Sequence, residues 1–573
     1  MFASVPVLIL SSALVLAQTR IPEPTASPDS MRVVAPADTL PRWPEPGDVA
    51  GEWLASTFGG TPARRDSLSD VRADLARVYA ARRYVRLWSS GDWPLPRAAR
   101  LVEALRGAGA HGLDPSQFDP EPLAAWLARM RPPSAPPAPA ELARLDLLLS
   151  ASAMRFAGAL AGGRVPARIA HPSLRGHPPR PDRVPVLESI ATAIEPAAAF
   201  DSLAPRSNEY TRLRDLLAEY RALTADSALT RLEHRRRALR PGDRSADART
   251  LRRLLWRGGG MNDSVYALPQ PDSVVTRALF DAARVIMKRD TLPFDGTLGA
   301  PLAWALRQDL TQRTRLITLA LERQRWFTRD FPAPPIVVNI PAFEMRYWHA
   351  TTDDSGTVMR MRVCVGGSDS TQTPPLSDRL RAVVFRPNWN IPPSIMRKEI
   401  KPKALEDSTY LAKNHYELVD VKSGKVLPQT PVNLDAIGLT LRVRQRSGEG
   451  NALGDIKFLL SNSEAIYMHD TPMRAPFKRA RRDVSHGCVR LQEAHALARY
   501  LLRDRSDWPP ERIERAVRSD TTQIVPLSQA VPVEIVYWTA VSRPSGGLDV
   551  LADIYKHDAA LDSLLHLRYP LPR

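Results

Sequence analysis

Cysteine is what this chain has least of: Cys364 and Cys488 are the two among 573 residues. That scarcity excludes a disulfide-stapled framework and a structural zinc site built on paired cysteines. Long apolar runs are scarce too. Beyond Met1 to Ala17 no segment reads as a membrane span, and that opening run is itself shorter than the roughly 20 apolar residues a spanning helix needs. It ends Val-Leu-Ala17 and reads as a secretory signal, 1–17, cleaved before Gln18, although no Lys or Arg precedes it and Arg20 is the first charge. Acidic residues are in deficit, 62 Asp+Glu against 79 Lys+Arg, for a net charge of +17. No nucleic-acid motif accompanies that excess, and the arginines are mostly scattered. The charge therefore fits an exported protein drawn to anionic wall polymers and lipid headgroups.

What is present divides by periodicity. The length implies about three domains. Residues 18–51 are Pro-, Ser- and Asp-rich without periodicity, which predicts a disordered linker. Apolar residues at i, i+3 and i+4 over Asp70 to Tyr84, Pro96 to Ala108, Leu142 to Leu160 and Tyr210 to Leu223 predict a helical domain over 52–229. Residues 248–308 predict a small helical domain closing on the turn Phe294-Asp-Gly and a last helix. A connecting helix follows within 309–331. From 334 the period becomes twofold. Ile336 to Ile340, Glu344 to His349, Val358 to Val365, Leu380 to Arg386, Leu441 to Arg446, Ile456 to Leu460 and Val531 to Trp538 alternate like strands. They predict a β-rich domain over 334–540 with a helical insertion at about 393–430, followed by a C-terminal tail, 541–573. The fold class is multidomain α+β.

The chemistry concentrates in Tyr467-Met-His-Asp-Thr-Pro-Met and Asp483-Val-Ser-His-Gly-Cys-Val-Arg490: His469, fifteen residues, then Ser485-His486-Gly487-Cys488. A free cysteine titrates near ~8.5, and a neighbouring imidazole or cation lowers that value to give the nucleophilic thiolate. Cys488 has one histidine two positions before it and another at a distance that a loop closes. Gly487 tolerates the positive φ of a strained nucleophile turn. The pattern suits nucleophilic acyl transfer through a thioester. A zinc site on His469, His486 and Cys488 is the alternative, and it lacks a fourth ligand. Cys364, in the alternating Met361-Arg-Val-Cys-Val365, reads as core. His111 and His171 read as structural, and Asp470 is assigned no role.

The His469-to-Cys488 motif resembles the active-site signature of the L,D-transpeptidase (YkuD) family. Val337-Val-Asn-Ile-Pro341, Trp389-Asn-Ile-Pro-Pro-Ser-Ile395, Lys398-Glu-Ile400 and Gly450-Asn-Ala-Leu-Gly454 with Lys457-Phe458 are similar to its large, multidomain YcbB-like subgroup. The resemblance implies a helical scaffold domain, a peptidoglycan-binding-like domain at 248–308, and a β-rich catalytic domain with a mobile cap. It implies a substrate, the tetrapeptide stem of peptidoglycan, and a diamino-acid acceptor joined in a 3-3 cross-link; water as acceptor gives an L,D-carboxypeptidase, and a wall-binding protein without catalysis is the third alternative. Cys488 matches the nucleophile, His469 the proton donor and acceptor, and His486 a second, orienting histidine. Ser485, Gly487, Arg490, Trp389 and Asn390 are expected to contact substrate, with the N–H groups of Gly487 and Cys488 as an oxyanion hole. No cofactor or metal is implied. The expected location is the periplasm or cell envelope, either free or tethered by an uncleaved N-terminal segment, with other wall-synthesis enzymes as expected partners.

Overall fold

The computed structural model describes residues 49–58, 70–132, 135–174, 182–327, 334–348, 357–368, 371–462, 466–543 and 546–567. The expected signal peptide and the expected linker up to residue 48 lie outside them. Residues 49–51 belong to a helix, Val49–Phe58, which buries Ala50 and Leu54.

The helical region is built around α1 (Pro139–Gly162), where Pro139 starts the helix with no N–H to lose and Glu141 reaches back to the Ala138 N–H. By length and composition α1 could cross a membrane, which the sequence reading did not anticipate. The apolar window is 83% buried inside the protein, so it serves as the core helix of the bundle. Among the polar groups it buries is the Asp146 carboxylate. Asp146 accepts from the N–H groups of Leu87 and Trp88, each at 2.8 Å, and from the Tyr79 hydroxyl at 2.7 Å. Buried carboxylates are tolerated when their oxygens are bonded in this way.

The small helical domain expected at 248–308 is not separate. Leu254, Ile286 and Leu306 share one continuous apolar core with Leu213 and Leu217 of the preceding bundle. Its expected last helix and the expected connecting helix are one element, α2 (Ala300–Gln324), which packs along Asn208–Thr224. The Asp295-Gly296 turn suggested a boundary, but the apolar stripe runs on past 308 without a break.

After 334 the strands close into a ring. They are β1 (Ile336–Asn339), β2 (Glu344–Trp348), β3 (Thr357–Gly366), β4 (Leu376–Phe385), β5 (Trp389–Asn390), β6 (Tyr416–Asp420), β7 (Val426–Leu427), β8 (Leu441–Gln445), β9 (Ile456–Leu460), β10 (Met468–His469), β11 (Asp483–Ser485), β12 (Val489–Leu491) and β13 (Gln523–Val536). The order β3-β12-β10-β9-β4-β13-β1-β2 returns to β3, because β2 also pairs with β3; β11 runs parallel to β3 outside the ring. Ile336, Val338, Met345, Met361, Val363, Val489, Met468, Phe458, Val383 and Val533 point inward and form the second core, together with Leu497 and Ala498 of α3 (Ala494–Leu501). Closure leaves no edge among these eight strands. β13 begins eight residues before the expected strand, because a bulge between Pro526 and Val531 breaks its alternation.

The insertion is wider than 393–430 and is not only helical. Most of its helical turns lie between β5 and β6, one more helix (Pro431–Asp435) lies between β7 and β8, and a four-stranded sheet, β5-β8-β6-β7, completes it. The Leu441 to Arg446 strand, expected in the catalytic sheet, therefore belongs to the cap. The cap has its own small core of Ile391, Ile400, Leu411, Leu418, Leu434 and Val443.

The described part of the expected tail, 541–543 and 546–567, is folded. A hairpin of Ala540–Ser542 and Leu548–Val550 and the helix α4 (Asp558–Leu565) join barrel to bundle. Leu561 enters the bundle core, and Arg323 Nη1, at the end of α2, donates to Asp558 at 2.6 Å. Next to it, Glu322 is fully buried: one oxygen accepts from the Val165 N–H at 2.7 Å and the other from Arg325 Nη2 at 2.7 Å. Arg325 Nη1 then donates to the His111 carbonyl at 2.8 Å. Removing one partner strands a buried charge, so Glu322→Ala should cost about 3–5 kcal/mol. The denaturant midpoint of the bundle measures it; a loss below about 1 kcal/mol would show that the pair contributes only packing.

Candidate active site

Sheet register places the expected residues. Met468 pairs with Val489 and His469 with Arg490 in the parallel ladder between β10 and β12, and the Val489 N–H donates to the Tyr467 carbonyl at 3.1 Å. Alternate residues of a strand share a face. With Met468 and Val489 inside the barrel, His469 and Arg490 point outward, and Tyr467 and Cys488 stand one step before them. On the flanking strands Lys457 lies opposite His469 and Cys364 opposite Arg490. One row of the outer face thus reads Cys364, Arg490, His469, Lys457.

The turn carrying Cys488 is held from three sides. Ser485 Oγ donates to the Cys488 carbonyl at 2.6 Å and accepts from the Gly487 N–H at 3.2 Å. Thr373 Oγ1 donates to the Gly487 carbonyl and accepts from the Gly366 N–H, both at 2.8 Å. Tyr555 Oη donates to the Gly366 carbonyl at 2.7 Å. Gly487 has φ +110°, a conformation that L side chains avoid. At 366 a β-carbon would run into the Thr371 carbonyl, so glycine is the only residue that fits.

His469 is buried, and its Nδ1–H donates to the carbonyl of Asp470. That bond fixes the tautomer and leaves Nε2 as the basic atom. Burial first, then the cations Arg490 and Lys457, push its pKa down to about 3, so the ring is neutral across the working range. Burial also pushes the Cys488 thiol up. The opposing pull comes from Tyr467, whose backbone N–H and hydroxyl both donate towards the sulfur, and from the charges of Lys457 and Arg490. Lys457 Nζ sits 3.8 Å from the centre of the Tyr467 ring. Arg490 brings a half-buried guanidinium whose buried Nε has no hydrogen-bond partner.

Several expectations change. Ser485 is buried and braces the turn rather than meeting substrate. The Gly487 N–H is already bonded to Ser485, so it is not an open oxyanion donor. His486 is exposed, and its Nε2 pairs with Glu399 of the cap at 2.7 Å instead of facing the sulfur by that nitrogen. Trp389 reaches the site by donating to the Tyr467 hydroxyl, whereas Asn390 is exposed and its backbone pairs with Arg444. Lys457, Tyr467 and Glu399 stand in the stretches that carry the resemblance but were given no role. Lys457 left a trace in the sequence as the one charge inside an apolar strand. His111 bonds to Tyr210 and Asp201, at 3.2 and 3.0 Å, as a structural histidine does. Among the described residues, the grouping with metal-ligand closeness is Asp455, Asp470 and His495, not His469, His486 and Cys488. Hydrogen bonds donated to both carboxylates push His495 up to about 9, and Arg386 and Arg474 pair with the same two acids. Two carboxylates already facing three cations form an ion-pair knot.

An outward Cys/His pair on a closed barrel, roofed by a cap, is a site for acyl chemistry on an extended substrate. Residues 334–522 match the model of the L,D-transpeptidase catalytic domain (YkuD), and residues 73–217 match that of the Scaffold domain. The chain thus carries a YkuD catalytic domain together with a Scaffold domain, the YcbB-like architecture. It is similar to a Haemophilus influenzae protein named "Putative L,D-transpeptidase", at 34% identity over 229 residues, 40% of this chain and 45% of that one. The aligned stretch therefore spans less than half the length of that relative. An alignment with the crystal structure of an L,D-transpeptidase (residues 123-326) from Xylanimonas cellulosilytica covers 52% of this chain and 97% of the other at 12% identity, but its TM-score of 0.15 carries no argument.

The electrostatics give a signed expectation. Lys457 favours the thiolate, so Lys457→Met should raise the thiol pKa and slow Cys488 alkylation at pH 7 by about three- to tenfold, half to one unit of pKa. A pH series of alkylation rates measures it; an unmoved or lowered profile contradicts the assigned field.

Proposed function

We propose that the protein is a peptidoglycan L,D-transpeptidase that forms 3-3 cross-links through a thioester on Cys488. The observation that carries this reading is the pairing of the two motif segments on one outer face, with His469 held in the tautomer whose Nε2 accepts a proton. The donor is a tetrapeptide stem. Nε2 takes the proton of the Cys488 thiol, and the sulfur attacks the carbonyl carbon of the third residue. The tetrahedral intermediate collapses as the C–N bond breaks, and the imidazolium returns its proton to the departing D-alanine. Tyr467 and Lys457 stabilise the sulfur while it carries charge, and Arg490 holds a substrate carboxylate. A neutral amine of a second stem then attacks the thioester carbon, the C–S bond breaks as the amide forms, and the proton the nitrogen loses returns through His469 Nε2 to the departing thiolate. Water in place of that amine makes the same site an L,D-carboxypeptidase.

The basic net charge and the opening apolar run support export to the cell envelope, where the stems and other wall-synthesis enzymes reside. The fold of 248–308 into the bundle core leaves glycan binding there to be tested by sedimentation of the protein with isolated wall.

Cys488→Ala and Cys488→Ser should abolish every new muropeptide when purified protein is incubated with disaccharide-tetrapeptides and products are read by mass spectrometry. Product in either variant would remove Cys488 from the mechanism. Adding an amine acceptor separates the two activities: incorporation marks a transpeptidase, tripeptide alone a carboxypeptidase. His469→Ala should slow Cys488 alkylation near neutral pH and move its profile upward; His486→Ala should shift that profile less. The reverse order would exchange the two roles.

A further inference from the structure

The proposed reaction brings two substrates of opposite polarity to one sulfur. The donor stem carries carboxylates, and the acceptor arrives as an ammonium. The barrel face beside Cys488 suits only the first, because Lys457 and Arg490 are both cations there. The carboxylate that meets the catalytic turn comes from the cap: Glu399 Oε1 lies 2.7 Å from His486 Nε2. Glu399 sits in the π-helical turn Met396–Ile400, a conformation found frequently at functional sites. It is the one acid of that turn, beside Arg397 and Lys398. Both members of the pair are open to an incoming group, Glu399 being 43% and His486 44% exposed. Behind them stands Tyr416, pushed up to about 12 by burial, then by Tyr410 and Glu399. A carboxylate only accepts, so Nε2 carries the proton of this hydrogen bond, and in the neutral ring Nδ1 is the acceptor.

We infer, resting on the function proposed above, that Glu399 and His486 form the acceptor station, in which the cap carboxylate draws in the ammonium of the second stem and His486 accepts its proton. The first Glu399 oxygen holds the His486 ring and the second meets the ammonium. His486 Nδ1 takes one proton from the ammonium, leaving a neutral amine. Its lone pair forms the C–N bond to the thioester carbon, the C–S bond breaks, and the second proton passes from the new amide nitrogen to the Cys488 thiolate through His469. Water needs no such station. The pair therefore decides how the acyl-enzyme divides between cross-link and hydrolysis, and the cap becomes part of acceptor recognition.

The test is the ratio of amine-transfer product to hydrolysed tripeptide, measured by mass spectrometry at one fixed concentration of an amine acceptor. The ratio is internal to one acyl-enzyme, so it does not depend on how fast that intermediate forms. Glu399→Gln should lower the ratio by at least about tenfold, the low end of what a hydrogen bond to a charged group contributes, and Glu399→Asp should recover part of it. An unchanged ratio in Glu399→Gln, or no difference between Gln and Asp, overturns the inference. A measurement on the unaltered protein stands beside it should a variant fold poorly. An acceptor stem trimethylated on its amine cannot react, yet keeps its positive charge. It should suppress transfer more than the same stem acetylated there; equal suppression overturns the inference. If the unaltered protein releases no D-alanine from tetrapeptide, the proposed function itself fails and takes the station with it, whereas release with an indifferent ratio removes the station alone.

Discussion

Everything at the site depends on a two-residue parallel ladder, Met468 with Val489 and His469 with Arg490. A shift of one residue in either strand would carry its side chains to the opposite face. His469 or Cys488 would then enter the barrel core, and Met468 or Val489 would take its place outside. The register is fixed because one face is so well filled: Met468, Val489, Phe458 and Val363 are each completely buried. Apolar packing inside the barrel thus holds the polar geometry outside it. The hydroxyls of Ser485 and Thr373 and the absence of side chains at Gly366 and Gly487 set the last detail, the turn on which the sulfur sits.

Burial cuts two ways at that turn. It raises the thiol and lowers the imidazole, both of which favour the neutral pair over a thiolate–imidazolium pair. Two cations and the Tyr467 donors pull the thiol back. In the proposed mechanism the site therefore holds its proton at rest and moves it only when a carbonyl is in place. Above this face the cap brings an acid, Glu399, to a surface that otherwise offers cations, and Trp389 ties the root of the cap to Tyr467.

Much of the architecture was legible in the sequence, for reasons that also explain what was not. The barrel strands announced themselves because one face is apolar and the other mixed; Ile336-Val337-Val338 is apolar on both faces because the bundle covers its outer face, with Val337 in the bundle core. The helical bundle was legible from its stripes, but where one domain ended was not. Asp295-Gly296 is a real turn, yet α2 runs unbroken through the supposed boundary at 308. The cap sheet was hidden because β5 and β7 are two residues each, too short to show alternation. Cys488 and His469 were legible from their spacing and residue types. The roles of Lys457, Tyr467 and Glu399 were not, although all three stand in the matching stretches, since they meet the sulfur or its turn through register and cap folding across tens of residues. Ser485 was misread because a hydroxyl beside a nucleophile looks the same in sequence whether it faces substrate or its own backbone.

The central claim is that the acyl group of the donor stem is carried on the Cys488 sulfur. Acid quenching of the protein milliseconds after mixing with disaccharide-tetrapeptide, followed by proteolysis and tandem mass spectrometry, tests it directly. The account predicts a thioester-linked tripeptide stem on the peptide containing Cys488, formed with release of one D-alanine. An adduct on Cys364, or steady product formation with no protein-bound stem at any time, would contradict it.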